Sequence, residues 1–387
     1  MTLGRRAIFV PAVSPLFFSP WKNDLRFNGH DYKWWTADSF FQYPYALISA
    51  PIGMKNAIYW RDEVGYPRDG ILMTDSGGFQ IASSNQKGKP AKISPRASLR
   101  WQEKNADIAF NLDVPLLDDN DFNVNLRKSL ENYALFAKER ENYEMKLYNV
   151  LHGHNIHHFE KWLAAASSFE FDGWAIGSGS NIYVKILAYL VLHEHDAPNL
   201  QGNIHFFGTS CLSSMLAFSM LSKHFDTAIT FDASTYILGA RLRKWLTPMS
   251  VRHYIDVGRI AENRMEVNPC RCPVCKVCTI DDIYSQTNPA TPMLLSLHNL
   301  NQFIVVNDFI NRLVEDNDAL QQYAESNGEL ELIQNVSGMF ERYERGGYND
   351  VYERYKAILD KKPKKPIKKV SFPQTRLPTI VSSPVSG

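Results

Sequence analysis

Three aspartates stand where short apolar runs give way to glycine or small polar residues. Asp75 sits in Thr74-Asp75-Ser76-Gly77-Gly78-Phe79-Gln80, Asp113 in Leu112-Asp113-Val114-Pro115 and Asp232 in Phe231-Asp232-Ala233-Ser234. His152-Gly153-His154, Gly177-Ser178-Gly179-Ser180 and Gly208-Thr209-Ser210 end three further apolar runs. Carboxylates beside glycines point to a concave acidic site with close backbone approach to a ligand. Any one of these aspartates could simply cap a following helix. Three around one rim make that explanation weaker. A second cluster is Cys270-x-Cys272-x-x-Cys275, followed by 22 residues and then His298. Three thiolates and one imidazole form a closed tetrahedral set suited to a structural zinc. Cys278 leaves a four-Cys set open as the lesser alternative, and Cys211 reads as a small core residue.

The elements that must position these groups follow from the apolar pattern. Strands are expected near Ala7–Val13, Tyr45–Ala50, Ile71–Thr74, Ile108–Asp113, Leu147–His152, Gly173–Gly177, Ile204–Gly208 and Ile229–Asp232. Most are continuous apolar runs, as parallel strands buried on both faces should be. Helices are expected from Ser94-Pro95 to about Asn105, and over Val124–Glu141, Ile156–Phe169, Ile182–Glu194 and Ser213–Phe225. Eight strands with intervening helices predict a (β/α)8 barrel, an α/β fold in which catalytic groups gather at the C-terminal strand ends. The expected organisation is a barrel over 1–260 with the aromatic stretch Pro15–Tyr45 as an insertion, a zinc-binding segment over 261–305 and C-terminal helices over 306–361. A basic tail over 362–387, with the lysine cluster Lys361–Lys369, is expected to be disordered.

Composition sets outer limits. Of 387 residues, 44% are hydrophobic and 21% charged, as in ordinary globular enzymes, and the formal net charge of +1 neither demands nor excludes a nucleic-acid partner. No apolar run is long enough to span a membrane, and Met1–Arg6 lacks a secretory pattern, so a cytoplasmic enzyme is expected.

The motifs together resemble the tRNA-guanine transglycosylases. Thr74–Gln80 is similar to that family's signature, and Asn105-Ala106-Asp107-Ile108 leading to Leu112-Asp113-Val114-Pro115 is similar to its next block. Phe171-Asp172-Gly173-Trp174-Ala175-Ile176-Gly177 resembles its glycine-rich base-binding strand. Phe231–Tyr236 with Leu246-Thr247-Pro248, and Cys270–Cys275 with Leu297-His298-Asn299-Leu300, look most like the archaeal branch. The resemblance covers roughly residues 7–305. It implies Asp232 as nucleophile, Asp75 as general acid and base, and Asp113 as the reader of the guanine edge. It also implies Gly177 and its neighbours (Ser178 among them), with Gly153 of the fifth-strand motif, at the base, and zinc on Cys270, Cys272, Cys275 and His298. Phe79 is a candidate lid or stacking group, with core packing as the alternative.

Two departures shape the expected substrate. His152 stands where the family usually has glutamine, although an imidazole can still donate to a purine carbonyl. His154, His157 and His158 crowd nearby and are expected to be solvated or hydrogen-bonded rather than a second metal site. Tyr236–Arg243 replaces the Pro-Thr-Arg run with which bacterial members grip the anticodon loop, and the chain has no room for the RNA-binding domains appended to archaeal members. DNA is therefore the expected polymer, as in the related DNA-guanine transglycosylases, with preQ0 or another 7-deazaguanine as incoming base. A tRNA enzyme, whole or split, is the runner-up. A non-catalytic nucleic-acid-binding subunit is the third reading, and retention of both Asp75 and Asp232 speaks against it. A homodimer or a partner subunit fits any of these. Arg241, Arg243 and Lys244 are candidate phosphate contacts, with helix surface charge as the alternative.

Overall fold

The computed structural model describes residues 5–56, 59–79, 94–116, 121–177, 181–209, 211–257, 270–285 and 287–361. All eight expected strands form: β1 (Ala7–Pro11), β2 (Tyr45–Ser49), β3 (Ile71–Asp75), β4 (Ile108–Phe110), β5 (Lys146–Leu151), β6 (Gly173–Ile176), β7 (Ile204–Phe206) and β8 (Ile229–Ala233). They pair in parallel in one sheet, β2 to β8 in sequence order with β1 beside β8. An Ala12–Leu47 bridge, with Val13 N–H donating to the Leu47 carbonyl at 2.8 Å, joins β1 to β2 and closes the barrel.

Both faces of each strand are buried, and alternation sorts them. Ile8, Val10, Tyr45, Leu47, Ile71, Met73, Ile108, Phe110, Tyr148, Val150 and Ala175 fill the barrel interior. Their neighbours, such as Phe9, Ile48, Leu72 and Leu147, pack outward against the helices. Because the side-chain period of a strand is two, the next inward positions at the C-terminal rim are Ser49, Asp75, His152, Gly177 and Asp232. The pleat thus aims these side chains at one space. Strand β4 is the exception. It ends at Phe110 rather than at the expected Asp113, and the irregular chain beyond it turns Leu112 outward into the helix layer and Asp113 inward.

The outer layer includes α1 (Ala50–Lys55), α2 (Pro95–Asn105), α3 (Phe122–Glu139), α4 (Ile156–Ala166), α5 (Ile182–Glu194) and α6 (Leu212–His224). Ser94 caps α2 with Pro95 in its first turn, as expected. After β8 come α7 (Thr235–Arg241) and a hairpin of β9 (Lys244–Leu246) with β10 (Tyr254–Asp256), then the short helices α8 (Pro273–Val277) and α9 (Ile280–Tyr284). Helix α10 (Thr291–Leu313) returns to the β1 edge: Asn307 and Asn311 donate to the Ala7 carbonyl at 2.9 and 2.7 Å. It occupies the place of the eighth barrel helix, so the expected border at 305 falls inside a continuous helix. Helices α11 (Asn317–Asn327) and α12 (Leu330–Leu359) follow, α12 breaking at Gly346 and at Gly347, whose φ is +71°. The stretch after β1 is an aromatic cluster in which Trp21 packs on Trp34, Trp35 and Trp60 at 4.9–5.6 Å. No helix of the described residues is long and apolar enough to cross a membrane. The expected tail over 362–387 lies outside the described residues.

Candidate active site

The strand mouths enclose a cavity of about 570 Å³ lined by Asp75, Asp113, His152, Gly177, Asp232 and Phe79, among others. The three aspartates, two from strand ends and Asp113 from the chain beyond β4, share this one space, which is more than helix capping requires. Phe79 is 61% exposed, so it stands at the mouth and not in the core. Gly153 does not face the cavity in the same way. Its missing side chain makes room for Phe159, because a Cβ there would lie 2.6 Å from that ring. Ser178 lies outside the described residues.

Asp75 is half-buried at the end of β3, and its Oδ1 accepts from Gly77 N–H at 3.2 Å. Burial, then the neighbouring charge of Asp113 and the smaller effect of Asp232, push its carboxyl up to about 7. A carboxyl poised near neutrality can both give and take a proton. Asp113 is buried, and its Oδ2 meets His152 Nε2 at 2.7 Å. The imidazole was expected to be able to donate to a purine carbonyl; its Nε2 lies on Asp113. Gly177 packs against the same imidazole: a Cβ on it would lie 2.3 Å from His152 Cε1. A Cβ on Gly78 would lie 2.4 Å from the Asp113 carbonyl, so glycine lets the β3 loop close over Asp113.

Asp232 Oδ1 accepts from Gly208 N–H at 2.8 Å and lies 3.4 Å from His205 Nε2. Among the described residues both contacts fall on Oδ1 and none on Oδ2. His205 is fully buried one inward layer below, its Nδ1 2.9 Å from Thr230 Oγ1. Burial lowers its pKa against the opposing pull of Asp232. Lys185 of α5 is also buried and donates to the Phe207 carbonyl at 2.5 Å. Neither residue was anticipated from the sequence, since each sits inside an apolar run. The available signal was one charged residue inside the run Ile182–Leu192.

The cysteine cluster assembles as expected. One ligand atom each from Cys270, Cys272, Cys275 and His298 lie within 4.8 Å of one another. His298 Nδ1 stands 3.3 Å from Cys272 Sγ and 3.2 Å from Cys275 Sγ. Ligands around tetrahedral zinc, with bonds of about 2.0–2.3 Å, stand roughly 3.5 Å apart, so the set fits that ion. His298 Nε2 lies 2.8 Å from the Leu246 carbonyl, which fixes Nδ1 as the ligand nitrogen. Cys278 lies outside the cluster. The next residue, Asn299, donates to the Tyr236 and Lys244 carbonyls at 3.2 and 3.0 Å. The metal site thereby anchors the segment that follows Asp232. His158 stacks on Phe122 with centroids 4.0 Å apart, and no metal-type group among the described residues includes it.

The basic trio divides. Arg243 is half-buried and donates to the Tyr284 carbonyl at 2.8 Å, while Arg241, although exposed, reaches Ser14 Oγ at 2.8 Å. Lys244 is exposed at the start of β9.

Fold and site together define a (β/α)8 barrel with a carboxylate-lined mouth and a Cys3His metal set beside it. The chain matches the family model described as queuine tRNA-ribosyltransferase over residues 49–326, and it belongs to that family. Relatives named tRNA-guanine(15) transglycosylase include one from Methanococcus aeolicus, 24% identical over 311 residues, covering 76% of this chain and 44% of the relative. Those from Saccharolobus solfataricus and Thermococcus onnurineus are 25% and 26% identical, covering 59% and 65% of this chain and 45% and 42% of theirs. The chain thus spans about half the length of the curated relatives it matches.

Proposed function

We propose that this chain is a base-exchanging guanine transglycosylase acting on tRNA. The observation that carries the reading is the meeting of Asp75 and Asp232 in one cavity beside Asp113, within a chain of this family. Asp232 Oδ2 attacks the anomeric carbon, forming an aspartyl-sugar ester as the bond to guanine breaks. Asp75 gives its proton to the leaving base. The incoming base, a 7-deazaguanine such as preQ0, returns a proton to Asp75, attacks the same carbon and releases Asp232. Two inversions restore the starting configuration. Asp113, an acceptor when ionised, takes hydrogen bonds from the N–H groups of the guanine pairing edge. That edge is free only in an unpaired or flipped nucleotide. Zinc, held by Cys270, Cys272, Cys275 and His298, is structural and takes no part in these steps.

The choice of tRNA over DNA rests on the relatives described above, each a tRNA enzyme by name. The DNA expectation leaned on missing RNA-binding parts, which a partner protein can supply, and so it ranks second. Labelled preQ0 offered with total tRNA or with melted genomic DNA separates the two. Label entering tRNA is expected; label entering DNA alone reverses the choice of polymer. Label in neither, with no release of guanine, removes the enzymatic reading.

A further inference from the structure

Lys185 is 1% exposed in the first turns of a helix whose neighbouring positions are Val184, Ile186, Leu187 and Ala188. Burying an ammonium is costly unless it is paired or hydrogen-bonded. Its Nζ donates to the Phe207 carbonyl. The other end of that same peptide unit is Gly208 N–H, which donates to Asp232 Oδ1. A trans peptide points its C=O and N–H in opposite directions, so the unit lies as a link between the ammonium and the carboxylate. Gly208 has φ +65°, in the left-handed region that favours glycine, and the chain turns there while keeping its N–H on Asp232.

We propose that Lys185 is a positioning residue for Asp232, holding and polarising the Phe207–Gly208 peptide so that its N–H fixes Oδ1 and leaves Oδ2 to attack. The inference rests on Asp232 being the nucleophile. Hydrogen bonds in series strengthen one another, by roughly 10–30% per bond. The lysine charge attracts the carboxylate without occupying either of its oxygens. The titratable groups facing Lys185 are Asp232 on β8, Cys211 at the start of α6 and His205 on β7. Burial brings the lysine down to about 8, opposed by Asp232 and then Cys211. The ammonium therefore persists at neutral pH and is lost as pH rises through about 8, where the support for Asp232 is lost with it.

Two measurements test this. The first is a titration of lysine Cε signals by NMR in the full chain, with Lys185 assigned from Lys185→Arg. Lys185 is expected to titrate near 8 in the wild type and at least about half a unit lower in Asp232→Asn, where the opposing charge is gone. The second is exchange kinetics. Removing a donor aimed directly at a reacting oxygen costs ~10²–10³ in kcat. Lys185→Met, which acts through one peptide, is expected to cost on the order of tenfold, with KM for the incoming base little changed and with the component of the alkaline fall near 8 removed, leaving the fall that Asp75 causes near 7. Lys185→Arg restores most of the rate. Identical Lys185 titration in wild type and Asp232→Asn overturns the proposal, as does a Lys185→Met enzyme with wild-type kcat and pH profile. A wild-type chain that exchanges base in neither tRNA nor DNA refutes the proposed function instead, and the titration still decides whether lysine and aspartate are coupled.

Discussion

Nε2 of His152 and Oδ2 of Asp113 meet at 2.7 Å, and Gly177 lies flat against the imidazole that makes the contact. The imidazole N–H takes one carboxylate oxygen, and among the described residues no hydrogen bond takes Oδ1. A glutamine at position 152 could donate in the same way. If Asp113 reads the base as proposed, His152 serves by orienting that carboxylate.

Gly177→Ala is therefore expected to damage base binding. The added Cβ would lie 2.3 Å from the His152 ring, which must move and release Asp113. Affinity for guanine should fall by about tenfold or more, equivalent to about 1.4 kcal/mol. His152→Gln, which keeps a donor, should cost less than His152→Ala. Calorimetric titration with free guanine measures all three. Wild-type affinity in Gly177→Ala would remove the orienting role of His152.

Much of this arrangement could be read from residue order, and the reason is the strand period. Runs such as Ile229–Phe231 are buried on both faces, and the polar residue that ends each run is forced inward at the barrel mouth. The zinc set was equally plain, because few other roles need three cysteines and a histidine at such spacing. What escaped was set by tertiary contact. The end of β4 at Phe110 depends on side-chain bonds such as Asn132 to the Leu112 carbonyl. The use of α10 as a barrel helix depends on Asn307 and Asn311 meeting Ala7. Lys185 and His205 sit within apolar runs, where pattern alone gives no partner. Arg243 looked like a phosphate contact but spends its guanidinium on the Tyr284 carbonyl.

Asp75→Asn should raise stability as it impairs exchange. The Asp75 carboxyl titrates at about 7 in the fold and at about 3.9 when unfolded. Between those values the unfolded chain gives up a proton that the folded chain keeps, so folding loses stability as pH rises from about 4 to about 7. Above about 7 the full cost is present. Asparagine has no such cost, and the variant should gain on the order of 2 kcal/mol at pH 8 and little at pH 4. Urea unfolding at the two pH values measures the difference. An equal effect at both would mean that Asp75 is not held near neutrality.

Cys272→Ser is expected to lose zinc and stability together. The site holds α8 to α10 and, through His298 and Asn299, fixes the Leu246 and Lys244 carbonyls of β9. Structural zinc contributes folding free energy directly. Metal content should fall from about one ion per chain to near zero, with a lower melting temperature, and chelator should reproduce the change in the wild type. Full zinc occupancy with unchanged melting in Cys272→Ser would discard the assignment.

Asp232→Asn isolates the nucleophile from everything around it. Asparagine keeps the shape and an oxygen that can accept from Gly208 N–H. Its amide cannot form the sugar ester, so exchange should fall by at least about a thousandfold, as expected when covalent catalysis is removed. Affinity for the polymer should change by less than about twofold, because binding draws on phosphate contacts away from this carboxylate. A second readout concerns the bond itself. Wild-type chain, given polymer and denatured before any incoming base is added, should carry a covalent adduct that maps to Asp232 by peptide mass spectrometry. Asp75→Asn should turn over poorly yet retain some of this adduct, since attack and proton transfer lie on different carboxylates. Near-normal exchange by Asp232→Asn, or an adduct that maps to Asp75, would reverse the two roles.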